Sequence, residues 1–349
     1  MSEFQVRIRR IKSVSPHPNA DRLEICQVEG YQCVVRKGQY HEGELVAYIP
    51  EQSVLPDELL IGEGLWKDGK GLLSGKDGNV VKPVRLRGEI SQGLLYRMST
   101  DEWKLGEDVT DVLGITKYEA PIPPELLGEV EHSPILFKYD VEDIKTWPDV
   151  LHPGEQVHIT EKLHGTFCLT IIRPNSEPIV SSKGLIKKGL CYSNEYNLYS
   201  RTVKPLLSTF RLFLSTATKF NPEVEAVAIL GEVYGKGVQD LHYSTAEPKF
   251  RLFDMATLVD GLWTYSPRGG LYRLANIRCI DTAPVLYEGP WSPSLIETYT
   301  SGQSTISDHI REGVVICSSD NREDPSLGRV ILKSVSPEYL FRKGGTEYN

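Results

Sequence analysis

Short runs with a two-residue apolar–polar period, broken by turn residues, fill the first hundred positions. Residues 4–11, 32–36, 44–48 and 80–86 carry that period, and His17-Pro18-Asn19, Asp68-Gly69 and Asp77-Gly78 punctuate them. The pattern predicts a small β-barrel. Pro121, Pro123 and Pro124 then cluster in a stretch with neither helical nor strand period, which sets a domain boundary and divides the chain into residues 1–118 and 119–349. The second part mixes strands, expected over 157–160, 167–172, 227–233, 250–253, 314–317 and 329–335, with a helix over about 195–214, where Leu198, Val203, Leu206, Leu207 and Phe210 recur at helical spacing. Pro205 lies inside that window, so the helix must bend there or begin later. The fold class is α+β.

Composition narrows the possibilities only a little. With 349 residues, 40% of them apolar and 25% charged, the chain can bury two substantial cores. No apolar run reaches the roughly 18 residues a membrane span needs, and the N-terminus lacks a basic-then-apolar leader pattern, so an intracellular, cytoplasmic protein is expected. Cys26, Cys33, Cys168, Cys191, Cys279 and Cys317 show no C-x-x-C spacing, which points to thiols rather than a zinc site or disulfide framework. A net charge of −8 excludes a uniformly basic surface. A local basic groove remains open to Arg7, Arg9, Arg10 and Lys12, to Lys183, Lys187 and Lys188, or to Arg342 and Lys343; a solvated face is the alternative for each.

The candidate chemistry centres on Glu161-Lys162-Leu163-His164-Gly165-Thr166. A lysine ends one apolar strand, and a glycine three residues later opens the next, permitting a tight turn and close approach by a ligand. K-x-x-G alone is a common pattern. Further along lie Glu232 in Gly231-Glu232-Val233-Tyr234-Gly235, Phe253 in Phe250-Arg251-Leu252-Phe253-Asp254, Glu312 in Glu312-Gly313-Val314-Val315-Ile316, and Lys333 at the end of Val330-Ile331-Leu332-Lys333. Charges on such apolar strands are costly if merely buried, so Lys162, Glu232, Glu312 and Lys333 are expected to face one polar pocket.

This ordered set resembles the covalent nucleotidyltransferases, the polynucleotide ligases and RNA capping enzymes, whose motifs run K-x-x-G, strand Glu, aromatic, E-G-[apolar]-V-[apolar] and final strand lysine. His164 between the lysine and glycine is similar to RNA ligases. Independently, residues 15–26 and 86–94 resemble the OB-fold tRNA-binding module appended to some aminoacyl-tRNA synthetases, a partly open barrel that commonly holds oligonucleotides. Together the two halves look like the Deinococcus-type RNA ligases.

The resemblance implies an N-terminal OB-fold β-barrel and a C-terminal ligase domain of antiparallel sheets with flanking helices. It implies joining of 3′-OH and 5′-phosphate ends, typically at nicks with an RNA 3′-OH strand, with ATP and Mg²⁺ or Mn²⁺ as cofactors and RNA or an RNA-containing nicked duplex as partner. Lys162 would carry AMP; Glu232 and Glu312 would hold the metal; Lys333 would touch the α-phosphate; Phe253 would stack on adenine; Lys183 would contact phosphate or ribose, and Glu161 would orient the sugar. Gly165 would let the nucleotide approach, Thr166 would add a hydroxyl near the pocket, and His164 would either contact the nucleotide or pack. A cation beside Lys162, either Lys333 or a metal, would free its lone pair. Many relatives carry K-x-K in the last motif, whereas Ser334 and Val335 follow Lys333 here, leaving the second lysine's role open to a residue such as Lys183. Two other readings stand beside this one: a capping-type guanylyltransferase using GTP, and a non-catalytic tRNA-binding scaffold. Oligomeric state is not legible.

Overall fold

A computed structural model describes residues 4–99 and 102–342. Lys343 lies outside them. The chain divides into two compact units, 2–119 and 120–349.

In the first unit, β1 (Arg7–Pro16), β2 (Leu23–Val28), β3 (Tyr31–Arg36), β4 (Leu45–Ile49) and β5 (Leu94–Tyr96) form one antiparallel sheet in the order β5-β4-β1-β2-β3. The first half of β1 pairs with β4 and the second half with β2, and the register shifts between Ile11 and Ser13. That irregularity lets one ten-residue strand turn a corner and curl the sheet into the nearly closed barrel of an OB-fold. Ile11, Cys26, Val28, Cys33 and Val46 fill its interior. Pro83 interrupts the expected 80–86 strand: only Val84–Leu86 is regular, hairpinned to Glu89–Ser91. The hairpin is tied to the β1–β2 connection, where His17 Nε2 lies 3.0 Å from the Leu86 carbonyl and Asn19 Nδ2 donates to the Arg87 carbonyl at 3.1 Å.

The second unit is built on two five-stranded sheets. One holds β6 (Glu142–Asp143), β7 (Gln156–Lys162), β13 (Val285–Pro290), β14 (Gly313–Ser318) and β15 (Ile331–Val335), ordered β6-β15-β14-β7-β13. The other holds β8 (Gly165–Ile172), β9 (Ile179–Ser182), β10 (Ala226–Tyr234), β11 (Lys249–Val259) and β12 (Leu262–Tyr265), ordered β9-β8-β10-β11-β12. All pairings are antiparallel except β6 with β15. The sheets meet face to face through Leu169, Ile171, Ala228 and Leu230 on one side and Cys317 and Ile331 on the other.

Each sheet is also covered outside. Trp291 and Leu327 pack on Val157, Ile159, Val314 and Ile316 of the first sheet. Helices α1 (Leu198–Val203), α2 (Leu207–Phe220) and α3 (Arg268–Ile277) cover the second through Val203, Phe210, Phe213 and Leu271. Burial on both faces explains why these strands read as nearly unbroken apolar runs. The single helix expected over 195–214 is two helices joined by a tight turn at Lys204–Leu206, because Pro205 has no N–H for the helical ladder. No helix among the described residues is long and apolar enough to cross a membrane. Five cysteines are buried thiols and Cys279 is an exposed one.

Candidate active site

Lys162 is the last residue of β7 in one sheet, and Gly165 is the first of β8 in the other, so the Leu163-His164 connection crosses between the sheets. Strand alternation decides what faces the gap. Val157 and Ile159 point to the outer core, and Thr160 and Lys162 therefore point toward the second sheet. On the neighbouring strands the registers Lys162↔Gly313 and Val315↔Lys333 bring Gly313 and Lys333 to that side, and Glu312, just before its strand begins and so outside the strand alternation, reaches Lys162 from there. Lys162 Nζ donates directly to Glu312 Oε1. Glu312 is 8% exposed, so its carboxylate is largely shielded, whereas the Lys162 side chain remains 28% exposed.

The second sheet supplies Glu232 from β10, opposite Phe167 on β8. A Cβ at Gly165 would lie 2.3 Å from the Val233 carbonyl oxygen and 2.8 Å from Glu232 Cγ, so only glycine allows Glu232 to lie across this turn. Burial, with Glu312 adding to it, pushes the Glu232 carboxyl up to about 8 against the opposing pull of Lys162 and Lys183. Lys183 begins a single helical turn after β9 and lies 3.6 Å from Asp140. Its ammonium is pushed down by the surrounding protein and by Lys333, Lys187 and Lys162 against the pull of Asp140, although the side chain is 48% exposed. The rings of Phe253, Phe167 and Tyr139 cluster with centroids 5.6–5.9 Å apart, and Tyr139, Asp140, Phe167 and Lys183 line a small cleft.

Lys162, Gly165, Glu232, Glu312, Lys183, Lys333 and Phe253 are thus gathered where the two sheets face each other. Glu161 is not. Alternation turns it to the other side of β7, where it is 1% exposed. There its carboxylate accepts from Ser304 Oγ at 2.5 Å and from Thr305 N and Oγ1, both at 2.8 Å. It anchors a loop instead of facing a sugar. His164 is also turned away from the gap, 2% exposed and with both ring nitrogens engaged, so it packs. The direct partner of Lys162 is an acid, and Lys183 lies within electrostatic range of it. Thr166 Oγ1 is engaged by Tyr199 Oη at 2.7 Å. Arg342, one of the basic tail pair, points inward to Asp240.

Sequence reading missed the support behind the aromatic cluster. Asp254, fully buried, accepts from Tyr139 Oη at 2.8 Å, Arg268 Nη2 at 2.9 Å and Arg329 Nη1 at 2.6 Å. It joins four segments far apart in the chain. The only sequence signal is a charge at an interior-facing position of a strand.

Residues 155–335, just over half of the chain, match the RNA ligase family, and the chain belongs to that family. Residues 5–98 match an OB-fold domain. Variants of Naegleria gruberi RNA ligase solved with ATP and Mn, and with AMP and Mn, superimpose with TM-scores of 0.73 and 0.74; at 23% identity they cover 97% of this chain and 98% of theirs. The same ligase solved with PPi gives a TM-score of 0.72. At that identity the likeness is one of fold. Among curated proteins, the phenylalanine–tRNA ligase β subunits of Neisseria meningitidis and Syntrophus aciditrophicus are each 29% identical, over 137 and 149 residues, or 38% and 41% of this chain. The chain spans about 15% of the length of those relatives.

Proposed function

We propose that this RNA ligase is ATP-dependent and joins 3′-OH and 5′-phosphate ends through AMP carried on Lys162, acting on RNA or on nicks with an RNA 3′-OH strand. The observation that carries the reading is the seating of Lys162 at the seam of the two sheets, bonded to Glu312 and flanked by Glu232. Solved relatives of the same fold contain ATP, AMP, PPi and Mn, which supports ATP as the nucleotide and a divalent cation beside it.

In the first step the Lys162 amine attacks the α-phosphorus of ATP; a P–N bond forms, the bond to the β-phosphate oxygen breaks, and pyrophosphate leaves. The amine must first lose its proton, since lysine ordinarily titrates near 10.4. The ion pair with Glu312 must therefore open, and Lys333 and Lys183 then disfavour recharging of the amine. Their positive charge also suits the α-phosphate as charge builds on its oxygens. In the second step a 5′-phosphate oxygen attacks the same phosphorus and the P–N bond breaks, restoring Lys162. In the third a 3′-OH attacks the 5′-phosphate, a phosphodiester forms and AMP departs. Phe253, backed by Phe167 and Tyr139, is the ring offered to adenine.

Mg²⁺ or Mn²⁺ fits Glu232 and Glu312: they are hard oxygen donors, and each raises the electrostatic cost of the other's charge, which a cation between them would relieve. Among the described residues no three His, Cys, Asp or Glu groups are arranged to ligate a metal, so the two carboxylates would hold an ion that keeps most of its water. Bound there, it would supply charge neutralisation at the phosphates. The OB unit is the nucleic-acid-binding module in this reading, and residues from 119 onward carry the chemistry.

The test is incubation with α-labelled ATP or GTP and Mg²⁺ or Mn²⁺ without nucleic acid, with Lys162→Ala as control. Acid-labile label from ATP on the denatured protein, absent in the variant, is expected. Label from GTP would favour a capping activity, and no label from either nucleotide would defeat the reading.

A further inference from the structure

The segment that follows the last strand of the first sheet returns to Glu312 and to the turn just after Lys162. The Ser336 amide donates to the Glu312 carbonyl at 2.8 Å, and Ser336 caps the short helix Pro337–Leu340. From that helix Tyr339, 1% exposed, reaches His164 with its hydroxyl 2.5 Å from Nδ1. On the other side of the ring, Asp240 Oδ1 lies 2.8 Å from Nε2. A carboxylate only accepts, so Nε2 carries the proton and Nδ1 accepts from Tyr339. One tautomer of a neutral imidazole is thereby fixed, the function a carboxylate serves for many active-site histidines.

Arg342 completes the set. It forks onto Asp240, Nε to Oδ2 at 2.7 Å and Nη2 to Oδ1 at 2.8 Å, and its guanidinium lies 3.8 Å from the Tyr339 ring centroid. The backbone of the turn is held as well: the His164 amide donates to Tyr243 Oη at 2.7 Å, and Gln239 Nε2 donates to the Gly165 carbonyl. His164 is two residues from Lys162, so the two bonds to its ring and the two to the turn backbone together hold the connection that carries the lysine between the sheets.

We infer that Tyr339 and Asp240 are positioning residues for Lys162, acting through His164: they lock the turn so that the amine and Glu312 are presented in one register. This rests on the proposed role of Lys162 as the AMP carrier. None of the three side chains needs to touch a nucleotide.

Single-turnover labelling of the full chain with α-labelled ATP, normalised to folded protein from thermal melts, tests this with Tyr339→Phe and Asp240→Asn, which change one polar group and leave shape intact. Loss of one buried hydrogen bond here should lower the maximal rate of label transfer about tenfold while the half-saturating ATP concentration moves less than about twofold. Tyr339→Phe added to His164→Ala should have no further effect, because both break one chain of contacts. A Tyr339→Phe protein with the wild-type maximal rate, or effects that multiply in the double variant, would overturn the positioning role. Wild-type protein that takes no label would instead overturn the reading of Lys162, and this inference with it.

Discussion

Replacing Glu232 by glutamine should make the nucleotide-free protein more stable while disabling it. In the folded protein the carboxyl keeps its proton up to about pH 8, whereas in the unfolded chain it releases it near the ordinary 4.5. Below pH 4.5 both states are protonated and the site costs nothing. As pH rises from 4.5 toward 8 the folded state alone holds the proton, so stability falls, and above 8 the full penalty is present. At about 1.4 kcal/mol for each tenfold change in proton affinity, that penalty is on the order of 5 kcal/mol. Glutamine never ionises and escapes it. For a unit of this size the gain corresponds to a melting temperature higher by roughly 10 °C at pH 9, and to a much smaller gain at pH 5. Thermal melts of wild type and Glu232→Gln in EDTA across that pH range measure the difference, and adding Mn²⁺ should narrow it by stabilising the wild type alone. A variant that melts at or below wild type at every pH would refute the argument, for it would mean that Lys162 already neutralises Glu232 in the resting protein.

Other consequences can be checked with less effort. Gly165→Ala places a methyl 2.3 Å from the Val233 oxygen and must displace Glu232 or the turn; label transfer from ATP should drop about a hundredfold while the protein still folds. Asp254→Asn leaves Arg268 and Arg329 buried without their shared anion, and urea unfolding should show a loss of about 3–5 kcal/mol. Phe253→Ala should raise the half-saturating ATP concentration about tenfold and leave the maximal labelling rate nearly unchanged, since base stacking is worth roughly 1–3 kcal/mol.

Much of this organisation is visible in the sequence because it is local. Val157 to Lys162, the glycine after it and the apolar run of β10 each declare a strand by their own residues. The motif order places Lys162, Glu232 and Lys333 on strands, and Glu312 at the start of one, that then gather at one seam. What escaped is set by partners distant in the chain. Glu161 sits beside Lys162 in the same motif, yet strand parity alone assigns it to the opposite face, a rule available before any coordinates. His164, by contrast, gives no hint that Asp240 and Tyr339 will close on its two nitrogens, because only folding brings residues 76 and 175 positions away to it. The Asp254 network is hidden for the same reason.

The two-residue connection from Lys162 to Gly165 also acts as a ruler. It begins in one packed sheet and ends in the other, so slack cannot be absorbed on either side. Insertion or deletion of a single residue must either distort the buried Leu163-His164 turn or slip β8 by one position, which would turn its core residues to the opposite face before any chemistry was attempted. Libraries that vary loop length in this protein should therefore yield folded members at the exposed Asn175 and Asp260 turns and none at 163–164.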